Sequence, residues 1–463
     1  MNTAKKFLDV GKPKEALNRL KELLQTVDAA DVWRIHELIG ATFHDLCNVD
    51  GVVQAYFNAA STDKFLRSQR SHFSNYIFAL HYLPQLDSPT LINELAIYNS
   101  LYRDIEPLPK ITRPTAEKIS VAFISPNFCD SSAARFYEPL LTNYNRKNFS
   151  VTAWSLSREE DNFTKKIRRN VDGYFDISEV SFEESAQMIR DVGTDILFDL
   201  GGHTEGGITL QIAAYRPARL QLSGIGYFDS TGLNAIDYFV GDNFLTADDV
   251  TFTEKILPLE NTFAFTPNDR MIYERKNRRP LQHKNFTFGS LNNFMKISDD
   301  YLVAVKKILE LIPDAKIIFR DTTPLESRKL TLIERLENFG IERAEIRCGS
   351  NNFFTDYAEI DLILDTFPYP GGMMTALALY MNVPVVNLCG RLHSGRLGAD
   401  MLKKSGLDEL IFKNPEDYTK AAVEIAKDKT RLENLRKKID VENLIDTDAS
   451  VKNFYDTLKN LFT

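Results

Sequence analysis

Cysteine is scarce in this sequence. Cys47, Cys129, Cys348 and Cys389 are the four in 463 residues, and no two form a CxxC pair. That spacing argues against a disulfide framework or a Cys-based structural zinc site and fits a reducing compartment. Basic charge is not in excess either: 56 Lys and Arg against 64 Asp and Glu leave a formal net charge of −8. This disfavours a general nucleic-acid or membrane-surface role but leaves room for a local basic pocket. No uninterrupted apolar run reaches the roughly 18 residues that a membrane span needs. The opening stretch, MNTAKKFLDVGKPKEALNRL, is charged and helical in pattern, without the apolar core of a signal peptide. HExxH, GxSxG, GxxxxGK[ST] and G-x-G-x-x-G are all missing, so a zinc protease, a serine hydrolase, a P-loop NTPase and a dinucleotide oxidoreductase lose ground. A soluble, cytoplasmic chain of two or three domains is expected.

What is present falls into two patterns. Over residues 1–110 the periodicity is helical. KPKEALNRLKELLQ and VWRIHELIGATFHDL place apolar residues three and four apart, and NVDGVVQAYFNAAST ends in small alanines. Helix pairs with Gly and Ala at close contacts read either as one or two tetratricopeptide-type repeats or as a plain bundle, without a clean 34-residue period. From Ile119 onward short apolar runs alternate with helical stretches: KISVAFISPNF, FSVTAWSLS, TDILFDLGGHT, RLQLSGIGYFDSTGL and IDYFVGDNFLT read as strands entering loops. TPNDRMIYERKNRRPLQHK interrupts as a polar, basic linker, and alternation resumes at NFTFGSLNNFMKIS. The predicted organisation is α/β: a helical domain over 1–110, a Rossmann-like lobe over 118–268, a second over 284–430, and C-terminal helices over 431–463. Two such lobes make the arrangement called GT-B, in which ligands sit at the C-terminal ends of the strands.

Five stretches fall at predicted strand ends and are expected to surround one cleft: SPNFCDSSAARF (125–136), DLGGHTEGG (199–207), GYFDSTG (226–232), SLNNFMKIS (290–298) and the turn PGGMMT (370–375). Gly371 and Gly372 open a helical run, where free N–H groups and the helix dipole favour an anion; the other reading is a tight connection. Lys296 is either a solvated surface lysine or, with that helix, a metal-free clamp for a diphosphate. His203 has small neighbours that would expose it at a strand end, and Thr204 beside it could donate to a sugar; the alternative is an ordinary loop histidine.

Taken together, these stretches resemble the O-GlcNAc-transferase-like family of glycosyltransferases, with its protein N-glucosyltransferase relatives. DILFDLGGHTEGG is similar to that family's strand ending in D-L-x-G-H-T. YRPARLQLSGIGYFDSTGLNAIDYFVGD resembles its R-P-A-P-x-Q, G-Y-P-G-T-x-G and M-D-Y series, LNNFMKIS its F-N-x-x-x-K-I, and LDTFPYPGGMMTALALYMNVPVVNLCGRLHSGRLG its L-D-T-F-P-Y-N-G-H-T-T stretch. The resemblance runs from about Phe73 to the C-terminus.

It implies an inverting, metal-independent enzyme without a cofactor, moving a sugar (GlcNAc or a related hexose) from a UDP-sugar to a protein side chain, Ser or Thr. The first lobe would serve the acceptor and sugar, the second the nucleotide. Asn293, Lys296, Phe353, Gly371, Gly372, Met373, Met374 and Thr375 would face nucleotide and phosphates, with Phe353 where a uracil-stacking histidine is found. Thr204, Tyr227, Ser230 and Thr231 would lie near sugar or acceptor. His203 and Lys296 are the candidate catalytic residues, His203 being the first candidate for the base. The sequence also departs from the family pattern. Ser131 and Arg135 replace two histidines, Gly372 replaces the histidine of the nucleotide turn, Met373 and Met374 replace threonines, and Leu377 replaces an acid. Arg391, His393 and Arg396 nearby either retain anion binding or are rim charges. The alternative function is a catalytically degenerate subunit that binds an acceptor protein or a partner transferase. The expected partners are a protein or peptide acceptor and either a second subunit or another copy, with no nucleic acid and no membrane span.

Overall fold

The computed structural model describes all residues except 1, 113–115, 127, 248, 279–284, 350–352 and 463. Of the stretches named above, Asn127 and the end of the basic linker lie outside the described residues.

The chain opens in helices. Pro13–Leu24, Val32–Asp45, Val49–Thr62, Leu66–Leu80 and Ser88–Ser100 follow one another. Small residues allow the second and third of these to approach closely: a Cβ on Gly51 would meet the Phe43 ring at 2.5 Å, and one on Gly40 the Tyr56 ring at 3.1 Å. Ala55 and Ala59 are buried on the same helix. Asp87 starts Ser88–Ser100 by accepting from the Thr90 N–H at 2.9 Å.

Two parallel sheets follow. The first holds β1 (Ile119–Ser125), β2 (Phe149–Ser155), β3 (Gly173–Asp176), β4 (Ile196–Asp199), β5 (Leu220–Ser223), β6 (Tyr238–Asp242) and β7 (Lys255–Leu259), in the order β3-β2-β1-β4-β5-β6-β7. The second holds β8 (Thr287–Ser290), β9 (Lys316–Asp321), β10 (Ala344–Cys348), β11 (Leu362–Leu364), β12 (Val385–Leu388) and β13 (Ile411–Phe412), in the order β10-β9-β8-β11-β12-β13. Each is the doubly wound order, in which the direction of winding reverses between the first and fourth strands and a crevice opens at their carboxyl ends. Val121 through Ile124 are fully buried, as a strand covered on both faces requires.

By contacts the chain divides into two compact units. One comprises residues 1–62, 79–86 and 267–444; the other comprises 63–78, 87–266 and 445–463. This division differs from the one read from sequence. The helical segment 1–110 is shared between the units: 1–62 and 79–86 fall in one, 63–78 and 87–110 in the other. The C-terminal helices are shared likewise: in the helix Thr447–Asn460, Phe454 sits against Phe198 of the first sheet, ring centroids 5.4 Å apart. The supposed linker is partly a helix, Asp269–Asn277, capped by Asn268. Six of its nine residues are polar, its apolar residues are adjacent, and only Met271 is buried, so the periodicity gave no sign of it. Strand β7 was also unforeseen. It contains Pro258, which a strand tolerates at a sheet edge, where β7 lies.

Candidate functional site

In the unit holding the second sheet, the loops after β8 and β11 meet at the switch point. Asp365 directly follows β11 and is fully buried. Its Oδ1 accepts from the Gly371 N–H at 2.8 Å, Asn292 Nδ2 at 3.0 Å and the Thr366 N–H at 3.0 Å. Its Oδ2 accepts from Thr375 Oγ1 at 3.0 Å and Asn387 Nδ2 at 2.9 Å. Burial pushes this carboxyl above its ordinary range, opposed by the hydrogen bonds from Gly371, Asn387, Asn292 and Thr375. One side chain thus ties the PGGMMT turn to β8, β12 and the helix Met373–Tyr380. A Cβ on Gly371 would come within 2.4 Å of Thr375 Oγ1, so this packing requires glycine.

Lys296 ends the 3₁₀ turn Phe294–Lys296. Its ammonium donates to the Pro370 carbonyl at 2.7 Å and lies 3.7 Å from the centroid of the Tyr369 ring. Burial lowers its pKa to about 8, with Asp365 opposing the shift. The sequence-level alternative of a solvated lysine is thereby corrected, since the side chain is half-buried over the glycine turn. Met373 and Met374, half-buried, occupy the first helical turn, whose N–H groups have no partner within the helix. Thr375 turns its hydroxyl inward to Asp365. Asn293 Oδ1 accepts from the Met295 N–H at 2.9 Å and Arg328 Nη1 at 3.0 Å. Phe353 opens the helix Phe353–Glu359, its ring 4.1 Å from that of Phe354. That helix is anchored by Asp356, which accepts from Arg320 Nη2 at 3.0 Å. Leu377 is fully buried. Of the basic trio, Arg391 is exposed, whereas His393 and Arg396 are buried and so are not rim charges.

In the other unit, Asp199 ends β4 and repeats the device. It accepts from the Gly201 N–H at 2.9 Å, the Gly202 N–H at 2.9 Å and Ser223 Oγ at 2.7 Å. Two expectations are corrected here. The small neighbours of His203 do not expose it. They admit aromatic rings instead: a Cβ on Gly202 would meet Tyr227 Cγ at 2.3 Å, and Tyr98 packs edge-on with its centroid 4.7 Å from the histidine ring. His203 is fully buried. Its Nε2 donates to the Thr231 carbonyl at 2.9 Å, which leaves Nδ1 to accept from Ser74 Oγ at 2.8 Å. Burial lowers its pKa to about 3. A neutral imidazole with both nitrogens engaged holds a loop in place and is not poised to take a proton.

Tyr227, Ser230 and Thr231 are likewise fully buried. Ser230 Oγ donates to Glu254 at 2.6 Å, and the Thr231 N–H donates to the same carboxylate at 2.8 Å. These side chains build the loop from within. Thr204 is half-buried and donates to the Gly201 carbonyl at 2.6 Å. Arg135 is buried against Asp130 at 3.0 Å, and Ser131 Oγ accepts from the Ala134 N–H at 3.3 Å. Sequence reading missed Asp199, Asp365, Glu254 and Arg328. The first two carried a signal, an aspartate at a strand end ahead of a paired glycine.

The chain matches the profile of Glycosyl transferase family 41 over residues 101–318 and 276–458. It is 31% identical over 332 residues to the probable UDP-N-acetylglucosamine–peptide N-acetylglucosaminyltransferase SPINDLY of Arabidopsis thaliana, covering 69% of this chain and 36% of that protein. It is 28% identical over 405 residues to the protein of the same description in Oryza sativa subsp. japonica, covering 83% and 43%. The chain thus spans less than half the length of these relatives. Among solved structures, a mutant O-GlcNAc transferase of Thermobaculum terrenum superposes with a TM-score of 0.85 at 23% identity, over 98% of this chain and 88% of that one.

Proposed function

Since this chain belongs to glycosyl transferase family 41, we propose that it moves a sugar, GlcNAc or a related hexose, from a UDP-sugar to a Ser or Thr of a protein or peptide. The transfer inverts the anomeric centre and uses no metal. The observation that carries this reading is the Lys296 ammonium, held by the Pro370 carbonyl beside the first turn of Met373–Tyr380. A fixed cation and helical N–H groups that have no partner in their own helix together make an anion site of the kind a diphosphate needs.

In-line attack by the acceptor hydroxyl builds negative charge on the departing UDP. Groups that meet that charge more strongly in the transition state than in the ground state accelerate the step. Lys296 and the N–H groups of Met373 and Met374 are assigned that part. Phe353 supplies a ring on which the base stacks, and Asn293, braced by Arg328, supports the loop beneath. His203 positions the Thr231 backbone and does not serve as the base. No helix among the described residues is long and apolar enough to cross a membrane. A cytoplasmic setting accords with four free cysteines. No observation favours the degenerate-subunit reading.

The test is calorimetric titration with UDP, without added metal, of the protein and of Lys296→Ala. The expected result is binding that weakens at least about tenfold in the variant, the scale of one lost charge-assisted hydrogen bond. GDP is titrated alongside, because stacking on Phe353 does not by itself select a base. Preference for GDP would replace the donor, and no binding of either nucleotide would overturn the proposal.

A further inference from the structure

Arg328, in the helix Glu326–Phe339, is almost fully buried. Its Nη1 donates to Asp321 Oδ2 at 2.9 Å and Asn293 Oδ1 at 3.0 Å. Asp321 Oδ2 in turn accepts from the Phe294 N–H at 3.0 Å, and Asn293 Oδ1 from the Met295 N–H. Both groups therefore shape the single turn that ends in Lys296. Arg328 Nη2 points the other way and donates at 3.0 Å to His44 Nδ1, in the last turn of the helix Val32–Asp45. Nη1 also reaches Thr323 Oγ1, at a longer 3.4 Å. Among the described residues Arg328 Nε is buried without a hydrogen-bond partner, and His44 is the one partner on the Nη2 side of the guanidinium. A buried guanidinium that loses a partner must reorient or admit water, since leaving the N–H unpaired is costly.

We propose that His44 is a positioning residue for the phosphate-binding loop: by accepting from Arg328 it sets the guanidinium that holds Asn293 and Asp321, and through them the turn that presents Lys296. The inference rests on the assignment of Lys296 to the donor diphosphate. The N-terminal helices are then part of the donor site as well as a candidate surface for a protein acceptor. The geometry also fixes the tautomer. Because Nδ1 accepts, Nε2 carries the proton, and the position of Arg328 at the carbonyl end of a helix is electrostatically favourable. Burial together with the adjacent Arg328 lowers the His44 pKa to about 4, so the ring remains a neutral acceptor near pH 7.

The test compares His44→Leu, which removes the acceptor at similar volume, with His44→Asn, whose amide oxygen falls close to the position of Nδ1. Thermal unfolding first establishes that both are folded. Amide hydrogen exchange over Leu291–Ile297 in the ligand-free 463-residue chain then reads the loop directly. The expected result is exchange about tenfold faster in His44→Leu, the scale of one hydrogen bond to a charged group, and return toward the parent rate in His44→Asn. Exchange unchanged in His44→Leu would overturn the proposal, as would equal acceleration in both variants, which would mark a packing effect. UDP titration of the same proteins, with Lys296→Ala beside them, separates the two readings. Absence of UDP binding in every protein removes the diphosphate assignment, while the exchange data still decide whether His44 sets the loop.

Discussion

Lys296 brings two opposing demands to one atom. Burial disfavours its charge, whereas a diphosphate would call for it. With a ligand-free pKa of about 8, the amine is mostly protonated at neutral pH and becomes neutral as the pH rises. Binding an anion raises the pKa again, so UDP affinity should be lost above pH 8, by at most about tenfold per pH unit. Titration at pH 7, 8, 9 and 10 checks this, and a flat profile would remove Lys296 from the site. The same depression costs stability without ligand. In unfolded chain the amine keeps its usual pKa near 10.5. Between about 8 and 10.5 the unfolded state therefore holds more protons, and this group's contribution to stability rises with pH. Lys296→Met should then unfold at higher temperature than the parent at pH 7 and bind UDP at least about tenfold more weakly. The neighbouring glycines separate in the same way. Gly371→Ala forces a Cβ to 2.4 Å from Thr375 Oγ1, whereas at Gly372 the nearest atom is 3.9 Å away. The first substitution should cost roughly 1–3 kcal/mol in denaturant unfolding and the second well under 1 kcal/mol.

At the scale of elements, the two sheets solve one problem twice. Each puts an aspartate at the end of its fourth strand, buries it, and uses it to bend a paired glycine back over the sheet; the next strand supplies a further donor, Ser223 or Asn387. Replacing Asp365 by Asn sets an amide donor among five side-chain and backbone donors. The expected loss is about 2–4 kcal/mol in denaturant unfolding, with Asp199→Asn behaving alike. Most of the strands were legible in the sequence, because parallel strands covered on both faces appear as short apolar runs such as VAFI and LIL, whereas β3, β7 and β13 and the order within each sheet were not. The loops were legible as places but not as contacts. Where a glycine's missing Cβ admits a ring from a distant segment, as Gly202 admits Tyr227, local pattern carries no record of the visitor. That is why His203 reads as exposed in sequence and lies sealed in the structure. Lys296 stood out because its partner is a turn that was legible for its own reasons. Arg328 and Glu254 did not, since nothing local marks a charge whose partners come from other segments.

At the scale of the whole molecule, the division of the chain sets what can be removed from it. Each compact unit is assembled from three separate segments, so no single cut separates them. Deleting residues 1–62 takes away the His44 acceptor and the Lys14 that pairs with Glu334 at 2.8 Å. Such a truncation is expected to bind UDP at least about tenfold more weakly than the full chain, through the loop that Arg328 holds. Parent-like affinity in the truncated protein would confine the donor site to the second sheet alone.

Phe454 reaches the ribosome exit late. The sheet it covers is complete in sequence by residue 266, yet the helix that shields Phe123 and Phe198 arrives roughly 190 residues afterwards, about 10–40 s at ordinary rates of synthesis. During that interval Phe123 and Phe198 lack the ring that packs against them in the finished fold, and the first sheet of a nascent chain is packed less completely than that of the released protein.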